Sequence, residues 1–172
     1  MTTASTVADY PQTIQKLLDS TECTRDGAML RLLSRFGIRI SEIVRLRVAD
    51  VDSTRGTVAV HSKGGRWRAI YVDSETMSII GELTNGRKGG EPLFTDRKGG
   101  PISTDSVARI LRRYAVRAGV TDGSVRVLRH SLTANLLAAG ANVSAIAALL
   151  GYRPSAVVRN VTAEEIMAAI NI

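Results

Sequence analysis

Phe36-Gly37-Ile38-Arg39-Ile40-Ser41-Glu42-Ile43-Val44-Arg45-Leu46 is the stretch on which the reading of the fold turns. Just before it, Arg25 to Phe36 sets Met29, Leu32, Leu33 and Phe36 on one stripe at helical spacing, which predicts an amphipathic helix. Gly37 breaks that helix. Ser41 to Leu46 then restarts helical character with Ile40, Ile43, Val44 and Leu46 available for burial. Helix, tight glycine turn, helix is the pattern, and it leaves Arg39 at the start of the second helix.

Outward from this stretch the same periodicity recurs. Asp9 to Leu18 reads as a short helix, Ser74 to Leu83 as another, and Asp105 to Ala118 as a third, with Ser103 or Thr104 as N-cap. Val125 to Ala139 and Val143 to Leu150 are apolar-rich helices punctuated by Gly140 and Gly151. A last helix, Ala163 to Ile170, follows Thr162, with Glu164 and Glu165 against the positive end of its dipole. Only from Thr57 to Val72 does the period change to two. Thr57 to His61 and Trp67 to Val72 flank Lys63-Gly64-Gly65-Arg66, a hairpin pattern. Thr84 to Gly100 is rich in Gly and Lys and reads as a loop, in part mobile. The expected fold is therefore a single, mainly α-helical domain over residues 1–172 with a small antiparallel β-sheet, of the α+β class.

The bulk properties narrow the partners. The chain has 172 residues, 44% of them hydrophobic, and 23 Lys and Arg against 16 Asp and Glu, for a formal charge of +7. That length suits one core, and that sign favours polyanions, nucleic acid first, with charge serving only solubility as the alternative. Cys23 is the sole cysteine, which excludes an intrachain disulfide and a cysteine-based zinc site and suits a reducing cytosol. His61 and His130 are far apart with no carboxylate at ligand spacing, so neither a metal nor another cofactor is expected. No export leader and no membrane-length apolar run is seen, and a cytoplasmic, nucleoid-associated protein is expected.

Three cations stand out by position: Arg39, Lys63 at the hairpin tip, and Arg129 inside the apolar segment Val127-Leu128-Arg129-His130-Ser131-Leu132. A guanidinium in such a helix needs an anionic partner, protein carboxylate or phosphate. Two arginines with a lysine are what phosphoryl transfer requires: bidentate donors for the equatorial oxygens and an ammonium for the leaving oxygen. Taken singly, each arginine has an intramolecular salt bridge as its alternative.

The local sequence around these cations resembles a known family. Phe36 to Ile43 is similar to the first box of the tyrosine recombinases, the phage-integrase family, and Leu46-Arg47-Val48-Ala49-Asp50-Val51-Asp52 continues it. Val127 to Leu132, Asn135 to Ala141 and Ile146 to Gly151 resemble the second box, its following helix and the Leu-Leu-Gly turn. The likeness runs from about Tyr10 to Thr162 and covers the catalytic domain only, without the helical DNA-clamping (core-binding) domain that usually precedes it. In that family a tyrosine attacks the scissile phosphate, two arginines bind its oxygens, a hairpin lysine protonates the 5′-oxygen, and no metal takes part.

Carried over residue by residue, the resemblance places Arg39, Lys63 and Arg129 in the phosphate cradle. Arg126 stands where the family has histidine; it can hold a phosphate but cannot act as a base. Tyr152 follows the Leu-Leu-Gly turn in place of His or Trp and keeps a hydroxyl donor. Val161 occupies the nucleophile position, and a hydrocarbon cannot attack phosphorus. Tyr10, Tyr71 and Tyr114 read as packing residues, Tyr152 as the least unsuitable substitute nucleophile, and Thr162 lacks a base.

Arg66 and Arg68 read as backbone-phosphate contacts, with a solvated strand face as the alternative. Trp67 reads as hairpin packing before base stacking, and His61 as an exposed strand residue. The expectation is a double-stranded DNA-binding protein without catalysis, regulatory or architectural in role, self-associating on DNA through its last helix. Its rivals are an active recombinase whose tyrosine was replaced or comes from a partner subunit, and a helical protein-interaction module.

Overall fold

The computed structural model describes residues 10–62, 66–120 and 124–151. The helices are α1 (Tyr10–Asp19), α2 (Thr24–Ser34), α3 (Ile40–Ile43), α4 (Ser74–Thr84), α5 (Thr104–Arg117), α6 (Val125–Ala138) and α7 (Val143–Leu150). Between α3 and α4 lie a 3-10 turn, Val48–Asp50, and strands β1 (Val51–Asp52), β2 (Thr57–His61) and β3 (Trp67–Tyr71). The architecture is mainly helical with one small antiparallel sheet in the order β1-β2-β3, as the periodicity predicts. Among the described residues no helix is long and apolar enough to cross a membrane.

Helix α2 is the axis of the core. Ala28, Met29, Leu30, Leu32 and Leu33 are all fully buried, so this helix is enclosed all round rather than along the single stripe expected. Helices α1, α3, α4 and α6 pack against it, and that encirclement is invisible to the helix's own periodicity. The chain leaves α2 through Gly37 at φ +61°, a left-handed conformation that costs a residue with a Cβ about 1–2 kcal/mol. Helix α3 is a single turn, shorter than the expected Ser41–Leu46 run, because the chain unwinds at Val44 and enters the 3-10 turn.

The sheet has a third strand that the sequence did not announce, since two residues are too few to show an alternation. In the hairpin, Thr57 faces Tyr71, Val58 faces Ile70, Ala59 faces Ala69, Val60 faces Arg68 and His61 faces Trp67. Val58, Val60 and Ile70 point into the core. The segment from Thr84 to Gly100, expected as a loose loop, is pinned instead. Leu93 and Phe94 are buried, and the Arg87 guanidinium donates to the carbonyls of Leu83, Pro92 and Leu93. Ser103 caps α5 through its hydroxyl, as expected.

Two tyrosines are packing residues as read. Tyr10 donates to the Ser34 carbonyl, and fully buried Tyr114 donates to Asp26. Tyr71 and Trp67 are not: they are 76% and 67% exposed, because alternation along β3 turns both away from the core. The readings of Lys63, Tyr152, Val161, Thr162 and the helix Ala163 to Ile170 fall outside the described residues.

Candidate functional site

The last carbonyls of a helix have no partner within it and carry the negative end of its dipole. At the end of α7 three arginines supply the missing donors, one carbonyl each. Arg68 Nε donates to Leu149 O at 2.8 Å, Arg129 Nη2 to Leu150 O at 3.0 Å, and Arg39 Nη2 to Gly151 O at 3.2 Å. The three come from β3, from α6 and from the N-cap of α3. Arg39 and Arg129, the two arginines singled out in the sequence, thus converge on adjacent peptide units of one turn.

Two glycines make the convergence possible. Gly151 closes α7 in the left-handed conformation, φ 64° and ψ 40°. A Cβ there would stand 3.0 Å from Arg68 Nη1 and 3.3 Å from Arg39 Nη1. A Cβ on Gly37 would stand 2.3 Å from Leu150 Cδ2 and 3.8 Å from Arg129 Nη1. The turn that opens α3 and the turn that ends α7 are therefore pressed together, with the guanidiniums between them.

Glu42 locks the arrangement. It is 3% exposed, and its carboxylate accepts from Arg68 Nη1 at 2.8 Å and Nη2 at 3.0 Å, from Arg39 Nη1 at 3.2 Å and from the Arg39 backbone N–H at 2.9 Å. Ser62 Oγ adds a further bond at 2.8 Å. Burial alone pushes the Glu42 carboxyl up, but these bonds and the charge of Arg68 outweigh it and hold the group at about 2. Ser62 immediately precedes Lys63, so the same carboxylate ties the root of the lysine-bearing hairpin to Arg39. Sequence reading passed over Glu42 as a site residue, although its i,i+3 spacing from a helix-capping Arg39 was a usable signal.

The remaining predicted residues divide. Arg129 is 5% exposed, whereas Arg126, one helical turn earlier on α6, is exposed. Arg66 is exposed, which suits a phosphate contact and a solvated strand face alike. Arg68 is not: its side chain is 12% exposed and committed to Glu42, Ser62 and Leu149, because it shares the inward face of β3 with Ile70. His61 is exposed, with Nε2 at 3.4 Å from Asp50. No metal-binding group of His, Cys, Asp and Glu occurs among the described residues.

A second basic concavity of about 470 Å³ went unnoticed in the sequence. Arg25, Arg97, Lys98, Arg109 and Arg113 line it, with Asp96. Its cations come from α2, the pinned loop and α5, and nothing local links them. Arg25 and Arg113 are each held by buried Asp26.

Residues 6–165 match the model of the phage integrase family. The chain is 33% identical over 157 residues to tyrosine recombinase XerC of Roseiflexus castenholzii, covering 83% of this chain and 50% of that protein. It is 36% identical over 137 residues to tyrosine recombinase XerD of Mycobacterium tuberculosis, covering 74% and 44%. The chain thus spans about half the length of the curated relatives it matches. Among solved structures, the XerA recombinase superposes with a TM-score of 0.79 at 20% identity, over 91% of this chain and 59% of its own. The integrase from mycobacterium phage Brujita superposes at 0.70 with 23% identity, over 92% and 55%. With that fold, and with two arginines gathered at the Leu150–Gly151 turn, the chain belongs to the phage integrase family of tyrosine recombinases.

Proposed function

We propose that this chain binds double-stranded DNA, holding one backbone phosphate with Arg39, Lys63, Arg126 and Arg129 and with the Tyr152 hydroxyl, and does not cleave it. The observation that carries the reading is the meeting of Arg39 and Arg129, from separate elements, on adjacent carbonyls of one turn. Glu42, itself held by Arg68, aims Arg39. Guanidiniums presented side by side are suited to the two non-bridging oxygens of a phosphodiester. Related folds have been solved on DNA: the XerH recombinase bound to its difH substrate and the Tn1549 transposon integrase with circular intermediate DNA.

The basic concavity at Arg97, Lys98 and Arg109 supplies further phosphate contacts along the duplex. Cleavage is absent from the proposal because Val161 offers no oxygen and Arg126 offers no base. We further propose a regulatory or architectural role at DNA sites, with self-association on DNA through residues 163–170 of the integrase-like domain.

The test pairs two measurements. Affinity for a mixed-sequence duplex is followed against salt, where one phosphate in the cradle and one each at Arg97, Lys98 and Arg109 predict a slope of about −3.6 in log K against log salt. The protein is also incubated with a pool of duplexes carrying bridging 5′-phosphorothiolates, and denaturing gels should show no covalent protein–DNA band. A salt-independent affinity defeats the DNA reading in favour of a protein-interaction module. A denaturation-resistant adduct defeats the non-cleaving part and restores an active recombinase.

A further inference from the structure

The hairpin places two large aromatic side chains where packing cannot account for them. Trp67 and Tyr71 are 67% and 76% exposed, and between them on the same face of β3 lies exposed Ala69. Across the ladder the matching residues of β2 are His61, Ala59 and Thr57. The outward face thus carries Trp67 beside His61 at one end, Ala69 and Ala59 in the middle, and Tyr71 beside buried Thr57 at the other, with Trp67 and Tyr71 about 13 Å apart along the strand. Ala69 and Ala59 leave room for a flat ligand between the rings. Covering these two rings would be favourable by the ordinary measure of apolar burial.

The charges around the face identify the partner's chemistry. At the Trp67 end Arg66 is exposed, and His61 borders a groove of about 550 Å³ lined by Arg45 and Arg47, with Asp50. At the Tyr71 end Arg55, 80% exposed, stands on the turn leading into β2. The acids nearby are already engaged: Asp50 accepts from the Arg47 backbone N–H and lies against His61, and Asp52 is paired with Arg55. The surplus of cations lies at the Trp67 end, with Arg45, Arg47 and Arg66 against Asp50, and an aromatic strip with a basic end suits a ligand that alternates flat rings with negative charge. A second copy of this chain, at +7, brings the wrong sign to such a rim.

We propose that the outward face of the β2–β3 hairpin is a platform for unpaired nucleobases of single-stranded DNA, with Trp67 and Tyr71 stacking on bases and Arg66, Arg45 and Arg47 tracking the phosphates. Duplex DNA keeps its bases stacked on each other and offers this face nothing but backbone, whereas an opened strand presents its bases. The platform uses none of Arg39, Arg126 or Arg129 and stands independently of the phosphate cradle.

Trp67 is the only tryptophan, so its emission reports on the platform directly. The whole chain is titrated at low salt with a twelve-residue oligothymidylate, with an abasic strand of equal length and charge, and with a duplex. The expected result is saturable quenching of Trp67 by the oligothymidylate and at least fivefold weaker binding of the abasic strand. Trp67→Ala and Tyr71→Ala should each weaken oligothymidylate binding at least fivefold, while Trp67→Phe retains most of it. Both side chains are exposed, so thermal melting of the variants should match the parent, and their duplex affinity should stay within twofold. Equal binding of the abasic strand, or unchanged oligothymidylate affinity in Trp67→Ala, overturns the proposal. So does a concentration-dependent dimer that Trp67→Ala abolishes while oligonucleotide binding persists, because the face would then serve a second copy.

Discussion

Replacing Glu42 by Gln exchanges the carboxylate under Arg39 and Arg68 for a neutral amide of nearly the same shape. The size of the effect follows from proton affinity. Glu42 titrates at about 2 in the folded chain against an ordinary 4.5. Each tenfold in proton affinity is worth about 1.4 kcal/mol, so the charged form contributes about 3 kcal/mol at pH 7. That contribution is full above the unfolded value and fades as pH falls through the folded one, leaving about 1.4 kcal/mol at pH 3. The amide also turns an N–H group toward donors, so 3 kcal/mol is a floor. Urea denaturation of both proteins at pH 7 and pH 3 measures the difference, which should shrink by about 2 kcal/mol between the two. Equal stability at pH 7, or a gap that does not narrow in acid, would refute the assignment of Glu42 as the ionised lock of the arginine site.

Other outcomes follow from the same geometry. Arg126→Gln removes one of the cations on the proposed cradle's single phosphate, so duplex affinity should fall by roughly tenfold with melting unchanged; an unaltered affinity would place Arg126 off the DNA. Gly37→Ala combines φ +61° with a Cβ 2.3 Å from Leu150 Cδ2 and should cost about 2 kcal/mol or more by chemical denaturation, together with duplex affinity; a variant as stable as the parent argues against the pressed-together turns. Val161→Tyr adds the missing oxygen, and covalent adducts should appear on phosphorothiolate duplexes in greater yield when Arg126→His is combined with it. Adduct yield that ignores Arg126→His would show that no base is wanting at that position.

Much of the fold was legible because helix and strand periods are local. The helix–glycine–helix order around Gly37, the hairpin and the Ser103 cap follow from spacing alone. The enclosure of α2 did not, since its apolar residues show a stripe while its neighbours cover the rest. Parity along β3 held a clue that the residue types obscured. Arg68 shares its face with buried Ile70, and Trp67 shares its own with exposed Ala69 and Tyr71, so the arginine turns inward and the tryptophan outward, against the habits of both. Glu42 was visible as one letter of a motif, but its role needed Arg68 and Ser62 brought across from the hairpin.

Sequence by itself determined the order of the elements, the surplus of positive charge, the places of Arg39 and Arg129 within two motifs, and the hydrocarbon at Val161, because each is a property of a residue and its near neighbours in the chain. Only the tertiary structure decided that arginines 39, 68 and 129 each meet one of three successive carbonyls at the end of α7. Which donor fills which vacant acceptor depends on how separate elements pack, and no local pattern encodes that choice.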